Sequence, residues 1–273
     1  MARWAGRPEG GAVNILIFGA GGTLARAINR MADSDHIITI THAEVDISDL
    51  GQVRNSLMRL TPDVVINAAG YLPERCVAEP LAAVLANTLG PHVLAVVCNA
   101  LGIRLVHVST DCVFGGRNLN PRPRTVDAGP SPTTFYGRLK LAGEPETAGR
   151  NIAVVRTSFV DPEAGLWKWL EEEQSNAPLV AGWAHAWWSG STSDEVADGL
   201  LAIARSDFTG IAHLATAKPI NKAVLLRRLS ERSGWNPRRV VAMPHGEDRS
   251  LHPTHVLPPI LVNYVQPAPV GKP

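Results

Sequence analysis

Apolar runs with the length of buried strands alternate with helical patterns over roughly the first 160 residues of the chain. The apolar runs cover residues 13–18, 36–40, 62–71, 103–108 and 151–156. Apolar positions at helical spacing follow in residues 24–31, 50–60, 79–101 and from residue 135 onward. This alternation predicts an α/β protein with a Rossmann-type, doubly wound parallel sheet, whose ligands lie outside the carboxyl ends of the strands.

The second part of the chain has a different pattern. Five of the seven tryptophans fall within residues 166–188, helical patterns recur at 193–205 and 221–233, and a Pro-rich extended tail follows Pro253. The indoles either fill the seam between two lobes or stack on a base or a sugar ring. We predict an N-terminal extension at 1–12, a dinucleotide-binding Rossmann domain at 13–160, and a smaller, mainly substrate-binding lobe at 161–273, with 191–209 packing back on the sheet.

Charge and cysteine content narrow the class of protein. The formal net charge of +1 gives no electrostatic case for binding nucleic acid or an anionic membrane. Cys76, Cys98 and Cys112 are odd in number, far apart and without metal-ligand spacing. They predict reduced thiols in a cytoplasmic protein, and the nine histidines form no cluster, so no metal site is predicted. No uninterrupted apolar run approaches the roughly 18 residues of a membrane helix.

The first strand ends in a glycine-rich turn that begins a helix. Backbone amides and a helix N-terminus in this context can hold a pyrophosphate. Gly19 and Gly22 allow a tight turn and close phosphate approach, while Ala25 lets the helix pack on the strand. The candidate cofactor-binding residues of the turn are Gly19, Gly21, Gly22, Thr23 and Leu24.

The end of the second strand bears on the choice of cofactor. An acidic residue at this place usually binds the adenosine ribose 2′-hydroxyl, but here the strand ends in Thr41 and His42. NADPH is therefore permitted and slightly favoured over NADH, with Glu44 the nearest acid if the strand ends later. Asp46 and Ile47 are candidates to flank the adenine, although Ser48 or Asp49 could instead cap the next helix.

Further candidates lie at the other strand ends. Small side chains at Ala68 and Ala69, before Tyr71, would let the loop backbone lie close to a cofactor. Asn87 is either a hydrogen-bonding residue inside its helix or a group on the cofactor side. Ser109 ends another strand, as Gly19, Asn67 and Thr157 do, and their common position predicts a single site.

Tyr136 and Lys140 are four residues apart and share a face of a predicted helix. An ammonium beside a phenol favours the phenolate, lowers the phenol pKa and makes it a better acid near neutral pH. The hydroxyl of Thr110 could supply a second hydrogen bond to the same substrate oxygen. Alternatively, the pair is a packing aromatic residue and a solvated lysine.

The order and spacing of several motifs resemble one known family. The matching stretches are Gly19-Ala20-Gly21-Gly22-Thr23-Leu24, residues 44–49, residues 62–71, residues 106–111 with 113–114, Tyr136-Gly137-Arg138-Leu139-Lys140 through Glu144, and, more weakly, residues 156–160 and 248–251. The chain resembles the extended short-chain dehydrogenase/reductase superfamily, and within it the dTDP-4-dehydrorhamnose reductases and related nucleotide-sugar 4-ketoreductases.

The resemblance implies an enzyme that uses NAD(P)H to reduce the C4 ketone of a nucleotide-linked, dTDP-type 4-keto-6-deoxy sugar. Tyr136 would donate the proton, Lys140 would lower its pKa and hold the nicotinamide ribose, and Thr110 would orient the carbonyl. The implied substrate-binding residues are Asp111, Val113, Phe159, Trp187 and Arg249. Family habit suggests a homodimer, and the alternatives are a nucleotide-sugar epimerase or a non-catalytic NAD(P)-binding regulatory subunit.

The chain departs from the family pattern near the expected substrate side. Cys112 stands where the family usually has a tyrosine, and Gly115-Gly116 where it has an aspartate before the glycine. Residues 161–163 replace the usual aromatic-glycine turn, and the segment between Asn67 and Asn87 is one residue shorter. These differences concern the sugar more than the cofactor.

Overall fold

A computed structural model describes residues 12–32, 35–117 and 121–257 of the chain. Nearly all of the predicted N-terminal extension, and the predicted tail after residue 257, lie outside the described residues.

Seven parallel strands form the central sheet and confirm the predicted fold class. The strands are β1 (Asn14–Phe18), β2 (His36–Ile40), β3 (Val64–Asn67), β4 (Arg104–Thr110), β5 (Ile152–Thr157), β10 (Gly210–Thr216) and β13 (His255–Leu257), numbered by their order among all strands of the described residues. Their order is β13-β10-β5-β4-β3-β1-β2. The carboxyl ends of β1, β3 and β4 are therefore neighbours, which brings the predicted site residues to one edge.

Helices cover both faces of this sheet. They are α1 (Thr23–Met31), α2 (Leu50–Leu60), α3 (Pro73–Ala78), α4 (Pro80–Val84), α5 (Gly90–Leu101), α6 (Phe135–Ala142) and α8 (Ser193–Arg205). Apolar side chains of α1 and α8, such as Ile28 and Leu200, pack together on one face. Those of α2 and α5, such as Leu57 and Leu94, pack on the other, so the sheet is buried on both sides as a doubly wound fold requires.

The helix predicted at 79–101 is interrupted by a wider turn. A π-helical turn at Leu85–Leu89 joins α4 to α5, so one helical segment runs from Pro80 to Leu101. Its length and mean hydropathy would suffice to cross a membrane, but half of its most apolar window is buried inside the protein. The prediction of no membrane helix rests on uninterrupted apolar runs, which this segment lacks because Asn87 and His92 interrupt it.

A smaller lobe forms from short strands and two helices in the second half of the chain. Its elements are β6 (Phe159–Val160), α7 (Gly165–Asn176), β7 (Val180–Trp183), β8 (Trp187–Trp188), β9 (Ser191–Thr192), β11 (Ile220–Asn221), α9 (Lys222–Arg232) and β12 (Val240–Met243). Trp167 and Trp188 are buried in its core, with Trp169, Trp183 and Trp235 packed against them. Most indoles therefore fill the interior of this lobe rather than a seam or a ligand site.

Three elements after residue 160 belong to the larger lobe, and two of them are strands of its sheet. α8 packs against α1, as the sequence pattern suggested for 191–209, while β10 and β13 extend the sheet beyond β5. The division of the chain at residue 160 does not anticipate these two strands. β13 is only three residues long and lies within the segment from Pro253 onward that the sequence pattern predicts to be an extended tail.

Candidate active site

The turn after β1 lies where a phosphate-binding loop is expected. Gly19 has φ of +100°, and an added Cβ would lie 2.8 Å from the Ala69 nitrogen, so glycine is required there. No side-chain cap satisfies the amides at the start of α1, whose N-cap is Gly22. Gly21 faces open space, with nothing within 4 Å of an added Cβ. Free helix N-terminal amides and an open glycine fit a pyrophosphate.

A groove of about 500 Å³ continues from this turn across the carboxyl ends of β2 and β3. Ten of the predicted cofactor residues line it: Gly19, Gly21, Gly22, Thr41, His42, Asp46, Ile47, Ala68, Ala69 and Tyr71. Its size and its run from a phosphate-binding turn past a strand end suit the adenosine and pyrophosphate part of a nicotinamide dinucleotide.

The groove has a second wall that the sequence argument missed. Ala82, Leu85 and Ala86 line it from the helical segment after Pro80, and Arg75 lines it from α3. The Arg75 guanidinium stacks on the Tyr71 ring at 3.9 Å from its centroid. Ala82 and Ala86, small residues four apart in the predicted helix, indicate this wall in the sequence. Amphipathic spacing alone, however, does not distinguish a groove wall from a face packed in the core.

Six predicted cofactor residues do not line this groove: Thr23, Leu24, Asn87, Ser109, Tyr136 and Lys140. Leu24 is buried in the core under the sheet, and Thr23, the first residue of α1, does not line the groove. The Asn87 amide accepts from the Tyr71 nitrogen at 2.7 Å and donates to the Tyr71 oxygen at 2.9 Å, so it acts as a hydrogen-bonding residue that fixes the groove loop. Ser109 donates its hydroxyl hydrogen bond to Glu144.

A carboxylate does lie at the end of β2, contrary to the argument for NADPH. Glu44 Oε2 accepts hydrogen bonds from the backbone nitrogen and the hydroxyl of Thr41, both at 2.8 Å. These bonds lower the pKa of the exposed Glu44 carboxyl. β2 ends at Ile40 as predicted, and the turn that follows folds Glu44 back onto the strand end. The sequence therefore gives no sound basis for a preference for NADPH.

Tyr136 and Thr110 meet at the carboxyl end of β4. Thr134 caps α6, which presents Tyr136 to the strand, so the phenol lies close to the Thr110 hydroxyl. Burial raises the pKa of the Tyr136 phenol above its usual value, the neighbouring Cys112 adds to the rise, and the nearby Thr110 hydroxyl acts against it. The phenol therefore keeps its proton at neutral pH, as a proton donor must.

Lys140 is buried one helical turn from Tyr136. Its Nζ donates to the Val108 carbonyl oxygen at 2.8 Å, and burial lowers its pKa to about 8. The lowering of the phenol pKa by Lys140 stays a prediction, because desolvation is the largest influence on the phenol here and raises its pKa. Lys140 and Tyr136 nevertheless share the helix face that the spacing predicts.

Polar groups from both lobes surround the turn after Thr110. Asp111 is buried and accepts a hydrogen bond from the Thr110 hydroxyl at 3.2 Å. Arg249 donates to the Cys112 sulfur at 3.2 Å and to Glu247 at 2.9 Å, and its backbone nitrogen donates to the Trp187 oxygen. Arg249 Nε and Trp187 Nε1 are buried without hydrogen-bond partners among the described residues, so both can donate to a substrate.

Two predicted substrate residues are part of the packing instead. Val113 is fully buried in a cluster with Phe114 and Leu251, because the 3₁₀ turn at Asp111–Val113 directs its side chain inward. Phe159 is half-buried and packs against the main core. Neither side chain is placed as a polar contact to a sugar.

Comparisons with known proteins agree with this geometry. Residues 13–248 match the family model described as RmlD substrate binding domain. A dTDP-4-dehydrorhamnose reductase from Mycolicibacterium smegmatis is 32% identical over 261 residues, covering 89% of this chain and 75% of the relative. A dTDP-4-keto-6-deoxy-D-glucose reductase from Streptomyces niveus is 30% identical over 241 residues, covering 84% of this chain and 82% of the relative.

A solved structure shows the same fold. The dTDP-4-dehydrorhamnose reductase from Bacillus anthracis in complex with NADP has a TM-score of 0.74 at 19% identity, covering 86% of this chain and 85% of that chain. The family match extends over most of the described residues, from β1 to the segment that carries Arg249 into the site. The chain therefore belongs to the RmlD substrate binding domain family, within the extended short-chain dehydrogenase/reductase superfamily.

Proposed function

We propose that this protein is an NAD(P)H-dependent reductase of the C4 ketone of a nucleotide-linked 4-keto-6-deoxy sugar, with dTDP as the expected nucleotide. The observation that carries the proposal is that Tyr136 lies beside Thr110 at the carboxyl end of β4, with the buried Lys140 one turn further along the same helix. This arrangement provides a proton donor beside a second hydroxyl that can orient a carbonyl. The relatives named as dTDP-sugar reductases supply the substrate class.

The groove residues would hold the cofactor. The Gly21 amide and the backbone amides of the first turn of α1 would bind its pyrophosphate, and the loop at Ala68 and Ala69 would lie along it. A reduced nicotinamide supplies the hydride when it is bound. Lys140, at the nicotinamide end, would hold the ribose and keep a positive charge beside the reacting groups.

The protein supplies the proton and the alignment. Tyr136 donates its proton to the oxygen of the reduced ketone, and Thr110 holds that oxygen in place. The donors Trp187 Nε1 and Arg249 Nε would bind the sugar or its phosphates, and the Asp111 carboxylate would accept a hydrogen bond from a sugar hydroxyl. A cytoplasmic location and the absence of nucleic-acid and membrane partners remain predictions from the sequence.

The test measures oxidation of NADPH and NADH by the wild-type protein and Tyr136→Phe with a panel of nucleotide-linked 4-keto-6-deoxy sugars. We expect turnover that falls by about 100-fold or more in Tyr136→Phe, because the proton donor is lost. Cofactor affinity should be retained, since the phenylalanine keeps the ring.

Other results would point to the alternatives. Cofactor binding without turnover of any sugar would contradict the reductase and favour a regulatory subunit. Interconversion of sugar epimers without net oxidation of the cofactor would favour an epimerase. Turnover that is unchanged in Tyr136→Phe would exclude Tyr136 as the proton donor.

A further inference from the structure

We propose that Glu144 is a positioning residue of the catalytic centre, which fixes the end of the Tyr136 helix and supplies the negative charge that keeps Lys140 cationic. The inference rests on the proposed function, because it concerns the same site. Glu144 contacts neither the groove nor the turn at Thr110, so it acts through Lys140.

The carboxylate is held by the two central strands. Ser109 on β4 and Arg156 on β5 are paired neighbours in the sheet. Ser109 donates to Glu144 Oε1 at 2.6 Å, while Arg156 donates to Oε1 at 2.9 Å and to Oε2 at 2.7 Å. Three donors in a bidentate arrangement fix the carboxylate in one position.

The ion pair is deeply buried. The Arg156 and Glu144 side chains are 3% and 8% exposed, and the guanidinium also lies 5.3 Å from the centroid of the Phe114 ring. Replacing a buried ion pair by apolar residues is often neutral or stabilising, so stability alone does not account for one at this place. A role in the neighbouring catalytic centre explains why a buried ion pair lies at this place.

The backbone around Glu144 links it to α6. Its nitrogen donates to the Leu141 oxygen at 3.1 Å, which continues the last turn of the helix that carries Tyr136 and Lys140. The preceding Gly143 lies so close to the Asn87 carbonyl that any side chain there would clash. A shift of Glu144 would therefore shift the end of α6.

Lys140 is the group on which the Glu144 charge acts. It is 5% exposed, and its Nζ bonds to a neutral carbonyl oxygen rather than to a carboxylate. The titratable groups that face it are Glu144 after α6, Cys76 on α3 and His107 on β4. Burial raises the pKa of the Cys76 thiol and lowers that of His107, so both are neutral near pH 7. The charged groups that remain are the Glu144 carboxylate and its partner Arg156, so loss of the Glu144 charge would leave the buried Arg156 and Lys140 as two cations without a carboxylate to offset them.

The sign of the effect follows from this arrangement. Burial lowers the pKa of Lys140 to about 8, and the Glu144 charge opposes that fall. Lys140 is therefore cationic below about pH 8 and loses its charge as the pH rises through that value. Removing the Glu144 charge lowers the Lys140 pKa further, so the charged form is lost at a lower pH.

The experiment compares Glu144→Gln with the wild-type protein by two readouts. The first is the pH dependence of kcat/KM between about pH 6 and about pH 9.5. We expect the pH at which kcat/KM falls on the alkaline side to decrease by about one unit or more. At a fixed pH on that side, kcat/KM would then be lower by about tenfold. We expect kcat to fall more than KM rises, and Glu144→Asp, which keeps the charge, to restore the pH of the alkaline fall.

The second readout does not need turnover. The pH titration of the lysine side chains by NMR, with the Lys140 signal assigned by its loss in Lys140→Met, measures the pKa of Lys140, which should be lower in Glu144→Gln. If no sugar is turned over by any form but this pKa falls, the proposed function fails while the role of Glu144 stands. An unchanged Lys140 pKa overturns the role of Glu144, whatever the enzyme does.

Asp35→Asn is the matched control. Asp35 is also a buried acid, 1% exposed in its side chain, and it is paired with Arg205 at 2.7 Å near the start of β2, away from the catalytic edge. We expect a loss of stability similar to that of Glu144→Gln with no movement of the pH profile. If both variants change activity equally at every pH, Glu144 is a structural residue and the proposal is wrong.

Discussion

The Glu44 carboxylate places a negative charge at the end of β2, beside Thr41 of the groove. Because it is held against Thr41, a 2′-phosphate bound there would experience repulsion that a 2′-hydroxyl would not. We predict that Glu44→Gln strengthens NADPH binding relative to NADH by up to about tenfold at low salt. Binding of both cofactors by titration calorimetry at low salt measures this ratio.

The salt dependence and a control variant make that test specific. The difference between the two cofactors should shrink at high salt, because Glu44 is exposed and its charge is screened. Glu172→Gln, an exposed acid of α7, should leave the ratio unchanged. A wild-type NADPH affinity equal to that of Glu44→Gln would show that the carboxylate does not reach the ribose.

Individual residues were predictable from sequence where the backbone decides their role. Gly19 and Tyr136 follow from a turn that only glycine fits and from helical spacing. Glu44, Ser109 and Val113 were misread, because the direction of each side chain depends on a turn or a tertiary partner. A strand end shows that a polar group is near the site, but not whether it faces a ligand or another side chain.

At the scale of elements, the π-helical turn at Leu85–Leu89 positions the loop that lines the groove. Asn87, fully buried in this turn, bonds to both backbone polar groups of Tyr71. We predict that Asn87→Ala costs about 2–4 kcal/mol of stability, since two partly buried backbone groups lose their partner. Cofactor affinity should also fall, because Tyr71 and Ala69 line the groove.

Urea unfolding and cofactor titration on the same samples check both parts. Asn236→Ala is the control, because Asn236 caps a 3₁₀ turn of the smaller lobe and its loss should cost only about 1 kcal/mol. It should leave cofactor affinity intact. An Asn87→Ala protein that is destabilised but binds the cofactor normally would show that the loop holds its shape without the amide.

The long elements were predicted closely and the short ones were not. β1, β2, α2 and α8 begin and end within a residue or two of the predicted ranges, since each carries its own apolar period. β6, β8, β9 and β11 are pairs of residues that bond to distant strands. Such two-residue strands have no sequence pattern of their own. The π-helical turn at Leu85–Leu89 has none either, because the apolar period of the helix continues through it.

At the scale of the whole molecule, the seven-stranded sheet follows from the βαβ alternation, but the path of the chain between the lobes does not. The chain leaves the sheet after β5, returns through α8 and β10, leaves again to build β11, α9 and β12 of the smaller lobe, and re-enters the sheet at β13. Arg124 pairs with Leu251, and this contact holds the segment that brings Arg249 to the turn after Thr110. The substrate side is thus assembled by tertiary contacts that no single stretch of sequence specifies.

An apolar helix face bears on the predicted homodimer. Leu89 and Val96, which are 43% and 53% exposed, lie seven residues apart and so on the same side of the segment that ends with α5. His92 between them bonds to the Ala142 oxygen at the end of α6, so the face adjoins the catalytic helix. A second copy of the chain could cover this face in an isologous interface, which buries the same patch on both protomers.

We therefore predict a dimer in solution that charged substitutions on this face disrupt. Leu89→Glu or Val96→Glu should weaken association by about 100-fold, or about 2.7 kcal/mol, because each places unpaired carboxylates in an apolar interface. Light scattering across a concentration series measures the change, and Leu179→Glu, a 61% exposed leucine of the smaller lobe, should remain dimeric. A wild-type monomer at every concentration would refute the dimer, whereas a dimer that tolerates both glutamates would place its interface on another surface.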